Sequence, residues 1–346
     1  MTRSGDHPAG KPRFMGRGFA RLGLLGNPGD AVGGPAITMA ISDLWAEAVA
    51  EPSARLRLVE PEVEWPEWGS LEELFSDIRL RGFHGGRRLM MALIQRLARH
   101  SSVEGLAWPP PLFTLSWRTT IPLRVGLGGS SALLTAAMRA ICGLWGLRLS
   151  PSEAVRLLLR CEVKDLGIPA GPQDRVAQVH EGLCYLEVDD SERLHVERLD
   201  AEALPPLFVA VDESAGEGTE VFHSSLRERH AAGDTDVQLG ARRLAELAQR
   251  GLGLLRGGRG HELGPLMDEN FDIRRGLLSL NPRHVEMVTI ARAAGAHAKF
   301  AGSGGAIVGT CPEGRMESVL DALRARQMSA FRPTIAHPRE EDPDAR

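Results

Sequence analysis

The pattern of apolar and polar positions predicts a chain built from both strands and helices. Short apolar or alternating runs, typical of strands, lie at 19–25, 37–49, 56–59, 113–121, 183–188 and 207–211. Apolar residues at helical spacing predict helices at 86–100, 133–141, 237–255, 261–280 and 282–294. A short helical turn is predicted at 173–180, and a strand, glycine turn and strand at 299–308. We therefore expect an α+β fold in two halves that meet near residue 200.

A linker containing two prolines, at 204–206, separates the predicted domains 19–200 and 205–335. Both ends of the chain carry charged and proline-containing segments without apolar runs, so we predict disordered tails at 1–18 and 337–346. The first tail lacks the apolar run of a signal peptide, and no stretch approaches the roughly 18 apolar residues of a membrane span. This pattern predicts a cytoplasmic protein without a membrane partner.

Composition narrows the class of protein only slightly. The 346 residues are 43% hydrophobic and 25% charged, which is typical of a globular protein, and the net charge of −4 gives no reason to expect a nucleic-acid partner. Four cysteines occur without a CxxC pair, and Cys142 and Cys161 lie in apolar helical patterns, which suits buried free thiols in a reducing cytosol. The eleven histidines show no HExxH spacing, so we expect no structural zinc.

The glycine-rich segment 125–132 leads directly into the predicted helix at 133–141. Free backbone N–H groups and the positive end of the helix dipole meet at such a junction, which favours a bound phosphate. The hydroxyls of Ser130 and Ser131 could reach a Mg²⁺ on that phosphate. The alternative is a joint that uses glycine only for its conformational freedom. No lysine follows the glycines, so the segment is not a Walker A loop.

Glu162 is a charged residue on a face that should be buried. Its helix starts at the capping box of 150–153, ends near Gly167, and places Glu162 in line with Val155 and Leu158. A buried carboxylate needs a cation or several hydrogen-bond donors. The partner is therefore either an arginine or a metal ion.

Asp174 and Arg21 also have two interpretations each. Asp174 follows a Gly-Pro bend, where it either caps the next helical turn or orients a reacting hydroxyl beside the phosphate. Arg21 lies in an apolar strand before a Gly-Asn-Pro-Gly-Asp turn. It is either a surface charge or a cation that faces the phosphate site.

Taken together, these features resemble the GHMP kinase superfamily of small-molecule kinases, which includes galactokinase, homoserine kinase and mevalonate kinase. The three motifs of that family are matched in order at 20–26, 126–132 and 301–306. The spacing of Glu162 and Asp174 is similar to that of the family's metal ligand and catalytic aspartate. The resemblance covers 19–335 and implies an N-terminal α/β domain like that of a ribosomal protein and a C-terminal ferredoxin-like α+β domain.

Within the superfamily the chain is similar to the glucuronokinases, through the segments 20–30, 170–179 and 270–275. This implies an ATP- and Mg²⁺-dependent kinase that phosphorylates the anomeric hydroxyl of glucuronate, as a monomer or homodimer. One alternative is another acceptor of the superfamily, such as a heptose phosphate, galactose or a mevalonate-pathway alcohol. Two more are a superfamily decarboxylase and a non-catalytic protein that binds sugar or nucleotide.

The resemblance also implies roles for particular residues. Asp174 and Arg21 would be catalytic, and Ser131 and Glu162 would hold Mg²⁺. The ATP phosphates would lie on Gly126, Leu127, Gly128, Gly129, Ser130, Ser131 and Ala132. The substrate would contact Asp30, Arg175, Gly302, Ser303, Gly304 and Gly305.

The segment 31–34 departs from the glucuronokinases, because it lacks the aromatic residue of the plant-type enzymes. This departure lies near the expected sugar pocket. A uronate carboxylate would favour an arginine. The candidates are Arg175, Arg274 and Arg275, each of which could instead be a structural ion-pair partner.

Overall fold

The N-terminal half of the molecule is organised around a six-stranded sheet. The computed structural model describes residues 12–59, 67–103, 109–189, 193–215 and 226–337. The strands are β1 (Phe14–Leu25), β2 (Ala36–Pro52), β3 (Arg57–Val59), β4 (Phe113–Thr119), β5 (Leu183–Val188) and β6 (Leu194–Leu199). The long β2 pairs with β1, β4 and β5, and the order is β3-β4-β2-β5-β6. Only the β3–β4 pair is parallel among these strands.

In the described part of this half, helices accompany the sheet, and one of them lies directly on β1. They are α1 (Leu71–Arg81), α2 (Arg88–Val103), α3 (Gly129–Trp145), α4 (Pro151–Arg160) and α5 (Gln173–His180). A Cβ on Gly18 of β1 would lie 2.3 Å from the carbonyl oxygen of Ala132 in α3. Only glycine lets the helix backbone come so close. The contact fixes the start of α3 relative to the strand that carries Arg21.

The C-terminal half contains a four-stranded antiparallel sheet with helices beside it. The strands are β7 (Leu207–Val211), β8 (His297–Phe300), β9 (Ala306–Thr310) and β10 (Ser329–Phe331), in the order β10-β7-β9-β8. Its helices include α6 (Thr235–Arg256), α7 (Leu263–Leu277), α8 (Pro282–Ala293) and α9 (Met316–Arg324).

The second sheet separates two hydrophobic cores because successive side chains of a strand point to opposite faces. Val209 and Val211 of β7 join the large core, which also holds the first sheet and apolar residues of α6 and α7. Phe208 and Ala210 point the other way, into a smaller core with α8 and α9. The two halves of the molecule therefore share one core along the face that carries the glycine turns.

The predicted α+β fold class is confirmed, and α5, β5 and β7 have the predicted bounds. The predicted tail at 1–18 is wrong for 14–18, because β1 begins at Phe14. The rest of the predicted tails falls largely at 1–11 and 338–346, outside the described residues. The domain bounds stay a prediction. The sequence pattern missed α1, α9, β6 and β10.

Two predictions from composition can be compared with the structure. Cys142 and Cys161 are free thiols, as expected, although of these two only Cys161 is fully buried, and Cys184 and Cys311 are free as well. Within the described part of the chain, no helix combines the length and the apolar character that crossing a membrane requires.

Candidate active site

The three glycine-containing motif segments meet at one cleft of about 460 Å³. Arg21 of β1, the turn from Gly126 to Ser131, and Gly302 and Ser303 all line it. Three of the predicted residues do not: Ala132, Gly304 and Gly305 are absent from the lining. The N–H of Ala132 is already bonded to the carbonyl of Gly128, 2.9 Å away, within α3. The geometry therefore does not support phosphate contact by Ala132 or substrate contact by the last two glycines.

Two glycine turns touch each other at the floor of this cleft. A Cβ on Gly302 would lie 1.9 Å from the carbonyl oxygen of Gly126. Backbone bonds continue the contact, since the Arg21 N–H donates to Leu127 O and the Gly23 N–H to Ala301 O, both at 2.9 Å. The turns of the N-terminal and C-terminal halves are thus locked against β1.

The glycine turn ends in the N-terminus of α3, where a phosphate site was predicted. Gly128 precedes the helix with φ of 73°, in the left-handed region, and no side chain caps the helix. The first N–H groups of a helix have no intrahelical partner, so those of Gly129, Ser130 and Ser131 can bind an anion. The turn therefore needs glycine for its conformation and can also bind a phosphate, so the two interpretations are compatible.

Asp174 and Arg21 form an ion pair on the cleft wall. Arg21 Nε donates to Asp174 Oδ1 at 2.6 Å, and its Nη1 donates to Ala301 O. Arg21 is only 6% exposed, so the interpretation as a surface charge is wrong. The capping interpretation of Asp174 is also wrong, because α5 begins at Gln173 without a side-chain cap. Both side chains are oriented by this pairing toward the cleft they line.

Glu162 is buried beside the start of α3. It lies in a π-helical turn, Cys161–Asp165, that extends α4, and such turns are frequent at functional sites. Arg175 Nη2 donates to Glu162 Oε2, and the Ser131 hydroxyl lies 3.4 Å from the same oxygen. The structure thus gives Glu162 the arginine partner that was one of its two alternatives. Burial and, secondarily, the charge of Arg21 lower the pKa of Arg175 to about 9, and the charge of Asp30 offsets part of this effect.

Asp30 also lines the cleft and lies in a short helical turn, Gly29–Val32. A Cβ on Gly171 would lie 2.4 Å from Asp30 Oδ2, so the carboxyl packs against that glycine. Burial and, secondarily, the charge of Asp174 raise the pKa of Asp30 from 3.8 to about 6. Arg227 joins the turn that carries Asp30 to the segment that carries Gly171, because it donates to Ala31 O and Ala170 O. Sequence reasoning missed this arginine.

Side chains from the C-terminal half hold the first motif in place. Asn270 accepts from the Gly26 N–H and donates to Asn27 O, both at 2.8 Å. The buried Lys299 donates to Gly23 O at 2.7 Å, Asn27 Oδ1 at 2.6 Å and Phe300 O at 2.8 Å. Burial, Arg274 and Arg21 lower the pKa of Lys299, whereas its three acceptor oxygens favour the charged form.

Lys299 was not singled out from the sequence, although a lysine inside an apolar strand indicates a buried charge that needs partners. Asn270 belongs to the segment 270–275 that carried the family resemblance, but its role was not predicted.

Comparisons with known proteins place this fold and site in a class. Residues 88–182 match the family model described as the GHMP kinases N terminal domain. The crystal structure of Lactococcus lactis galactokinase complexed with galactose superposes with a TM-score of 0.74. It covers 96% of this chain and 95% of that chain at 16% sequence identity, which is a likeness of fold. The architecture is that of a GHMP kinase.

Two relatives from Arabidopsis thaliana are more similar in sequence. Probable glucuronokinase 2 is 38% identical over 317 residues, which are 87% of this chain and 85% of the relative. Glucuronokinase 1 is 36% identical over 327 residues, 90% of this chain and 89% of the relative. The chain therefore belongs to the GHMP kinase family, together with these glucuronokinases. It is a sugar kinase that uses ATP and an alcohol group as acceptor.

Proposed function

We propose that the chain transfers the γ-phosphate of ATP to the anomeric hydroxyl of glucuronate. The observation that carries this proposal is the Arg21–Asp174 pair, which lies in the cleft beside the N-terminus of α3. A phosphate on α3 and a hydroxyl beside Asp174 would face each other across a short distance. The two glucuronokinase relatives support the choice of acceptor.

The residues of the cleft divide the reaction between them. Asp174 orients the anomeric hydroxyl and accepts its proton as the oxygen bonds to the γ-phosphorus and the bond to ADP breaks. Arg21 stabilises the charge on the transferring phosphoryl group, and the N–H groups at the start of α3 hold the phosphates. Asp30 binds a hydroxyl of the sugar. Phosphoryl transfer depends mainly on alignment and charge stabilisation, so these few groups suffice.

The residues also fit a magnesium ion. The Ser131 hydroxyl and the Glu162 carboxylate lie together at the start of α3, and oxygen ligands of this kind suit Mg²⁺. We propose that these two residues hold Mg²⁺, which would neutralise phosphate charge. Within the described residues no group of three or more His, Cys, Asp and Glu side chains could hold a metal ion. ATP oxygens and water would therefore complete its coordination.

An acceptor screen tests the proposal. The purified chain is incubated with ATP, Mg²⁺ and one of glucuronate, galacturonate, galactose, a heptose phosphate or mevalonate, and ADP release is measured. We expect turnover with glucuronate, and a product whose phosphorus is coupled to the anomeric proton in NMR spectra. Turnover with mevalonate alone would overturn the sugar assignment, and a product phosphorylated elsewhere would overturn the anomeric position.

The variant Asp174→Asn tests the role of the carboxylate in the same assay. We expect kcat to fall by about 10²–10⁴-fold, the usual contribution of a general base, while the Kd for ATP stays unchanged. Asp272→Asn is a matched control, because Asp272 lies in a surface ion pair with Arg292. Near-full activity of Asp174→Asn would remove Asp174 from the mechanism.

A further inference from the structure

This inference rests on the proposed uronic acid acceptor. The carboxylate of that acceptor can only accept hydrogen bonds, so the cleft must supply donors for it. The arginines considered from the sequence have other contacts. Arg175 donates to Glu162 and Gly171 O, and Arg274 donates to Gly302 O and Ser303 O. Arg275 is exposed and outside the cleft lining. Other donors that line the cleft are therefore candidates for this contact.

Asn27 offers one of these donors. Its side chain lines the cleft next to Arg21 and Asp30, and it is almost fully buried. Lys299 Nζ donates to Asn27 Oδ1 at 2.6 Å. An ammonium group only donates, so this contact fixes the amide with its oxygen toward Lys299 and its nitrogen away from it. Among the described residues Asn27 Nδ2 has no acceptor, so both of its N–H groups are available to a ligand.

Gln173 offers a second donor beside the first. It also lines the cleft and is 3% exposed, and its Nε2 is buried without an acceptor among the described residues. Gln173 Nε2 and Asn27 Cγ each lie 3.0 Å from the position that a Cβ on Gly23 would occupy, so the two amides are neighbours. A buried donor without a partner is costly and calls for an explanation.

We propose that the side-chain amides of Asn27 and Gln173 bind the carboxylate of the uronic acid acceptor. Two neighbouring amides with unused N–H groups suit a group that only accepts. Lys299 strengthens the site, because its hydrogen bond to Asn27 Oδ1 polarises the amide and makes the Asn27 N–H groups better donors. This arrangement selects a uronate over a neutral sugar through neutral amide donors rather than through an arginine.

The variant Asn27→Asp tests this assignment, because it keeps the oxygen bound by Lys299 and changes only the cleft-facing nitrogen into oxygen. Isothermal titration calorimetry on the full chain measures Kd for glucuronate and for glucuronamide, whose neutral carboxamide can donate. In the wild type we expect glucuronate to bind more tightly. In Asn27→Asp, glucuronate should bind about 100-fold more weakly, since a charged partner is left facing another charge. Glucuronamide should lose less than about tenfold.

A surface variant and a second cleft variant complete the design. Asn281→Asp makes the same change at the N-cap of α8, where aspartate is an equally good cap, and should leave both Kd values unchanged. Gln173→Met removes the second donor without adding charge and should weaken glucuronate about tenfold. Circular dichroism melting checks that each variant is folded.

The outcomes separate this inference from the proposed function. A wild type that neither binds nor phosphorylates glucuronate would refute the proposed function. A wild type that does both, with Asn27→Asp weakening glucuronate and glucuronamide equally or neither of them, would refute the amide site alone.

Discussion

Glu162→Gln removes one charge from a buried ion pair and leaves the other charge behind. The side chains of Glu162 and Arg175 are both 3% exposed, so water cannot replace the lost carboxylate. Breaking a buried pair from one side typically costs about 3–5 kcal/mol. Asp174 Oδ2 lies 3.7 Å from Arg175 Nη1 and can take over part of the interaction. We therefore expect the lower end, a loss of about 3 kcal/mol in the free energy of unfolding.

Urea unfolding of Glu162→Gln, Arg175→Met and the double variant measures this loss without ligands. Because removing both partners leaves no unpaired charge, the double variant should be more stable than the sum of the single effects predicts, by about 1–3 kcal/mol. Additive losses, or a Glu162→Gln variant as stable as the wild type, would refute the ion pair. In the kinase assay Glu162→Gln should also need more Mg²⁺ for half-maximal rate. An unchanged requirement would refute the metal role.

Two further predictions concern the cleft walls. The raised pKa of Asp30, about 6 against 3.8, means that its contribution to stability is lost as pH rises through this range. Asp30→Asn should therefore be more stable than the wild type at pH 7 by about 2–3 kcal/mol. Denaturation at pH 7 and below pH 4 checks this, since the gain in the free energy of unfolding should vanish at the lower pH. The kinase activity of Asp30→Asn should fall. Gly302→Ala should lose activity and stability because its Cβ would meet Gly126 O. The control Gly253→Ala, in open space on α6, should be neutral or stabilising. A normal melting temperature for Gly302→Ala would contradict the close contact.

Local sequence signals predicted many of the elements and the motif turns. α5, β5 and β7 have the predicted bounds because proline, glycine and apolar alternation mark their ends. The missed α1 also had a signal, since Ser70 caps it and accepts from the Glu73 N–H. β10 spans only Ser329–Phe331 and is too short to show a period.

The contacts that shape the cleft could not be predicted in the same way. The bond between Lys299 and Asn27 joins residues 272 positions apart, and nothing local to either residue indicates it. The arginine partner of Glu162 could not be predicted either, because the contact depends on where the fold places Arg175. Tertiary contacts between distant segments settle such questions, whereas patterns and caps report only on neighbours along the chain.

The first motif belongs to one half of the molecule by covalent connection and is held by the other through Asn270 and Lys299. Exchanging the C-terminal halves of two related kinases would therefore also exchange the two side chains that support the first motif. A working chimaera would therefore have to take this asparagine, this lysine and the first motif from the same parent, although they lie on opposite sides of the exchange point.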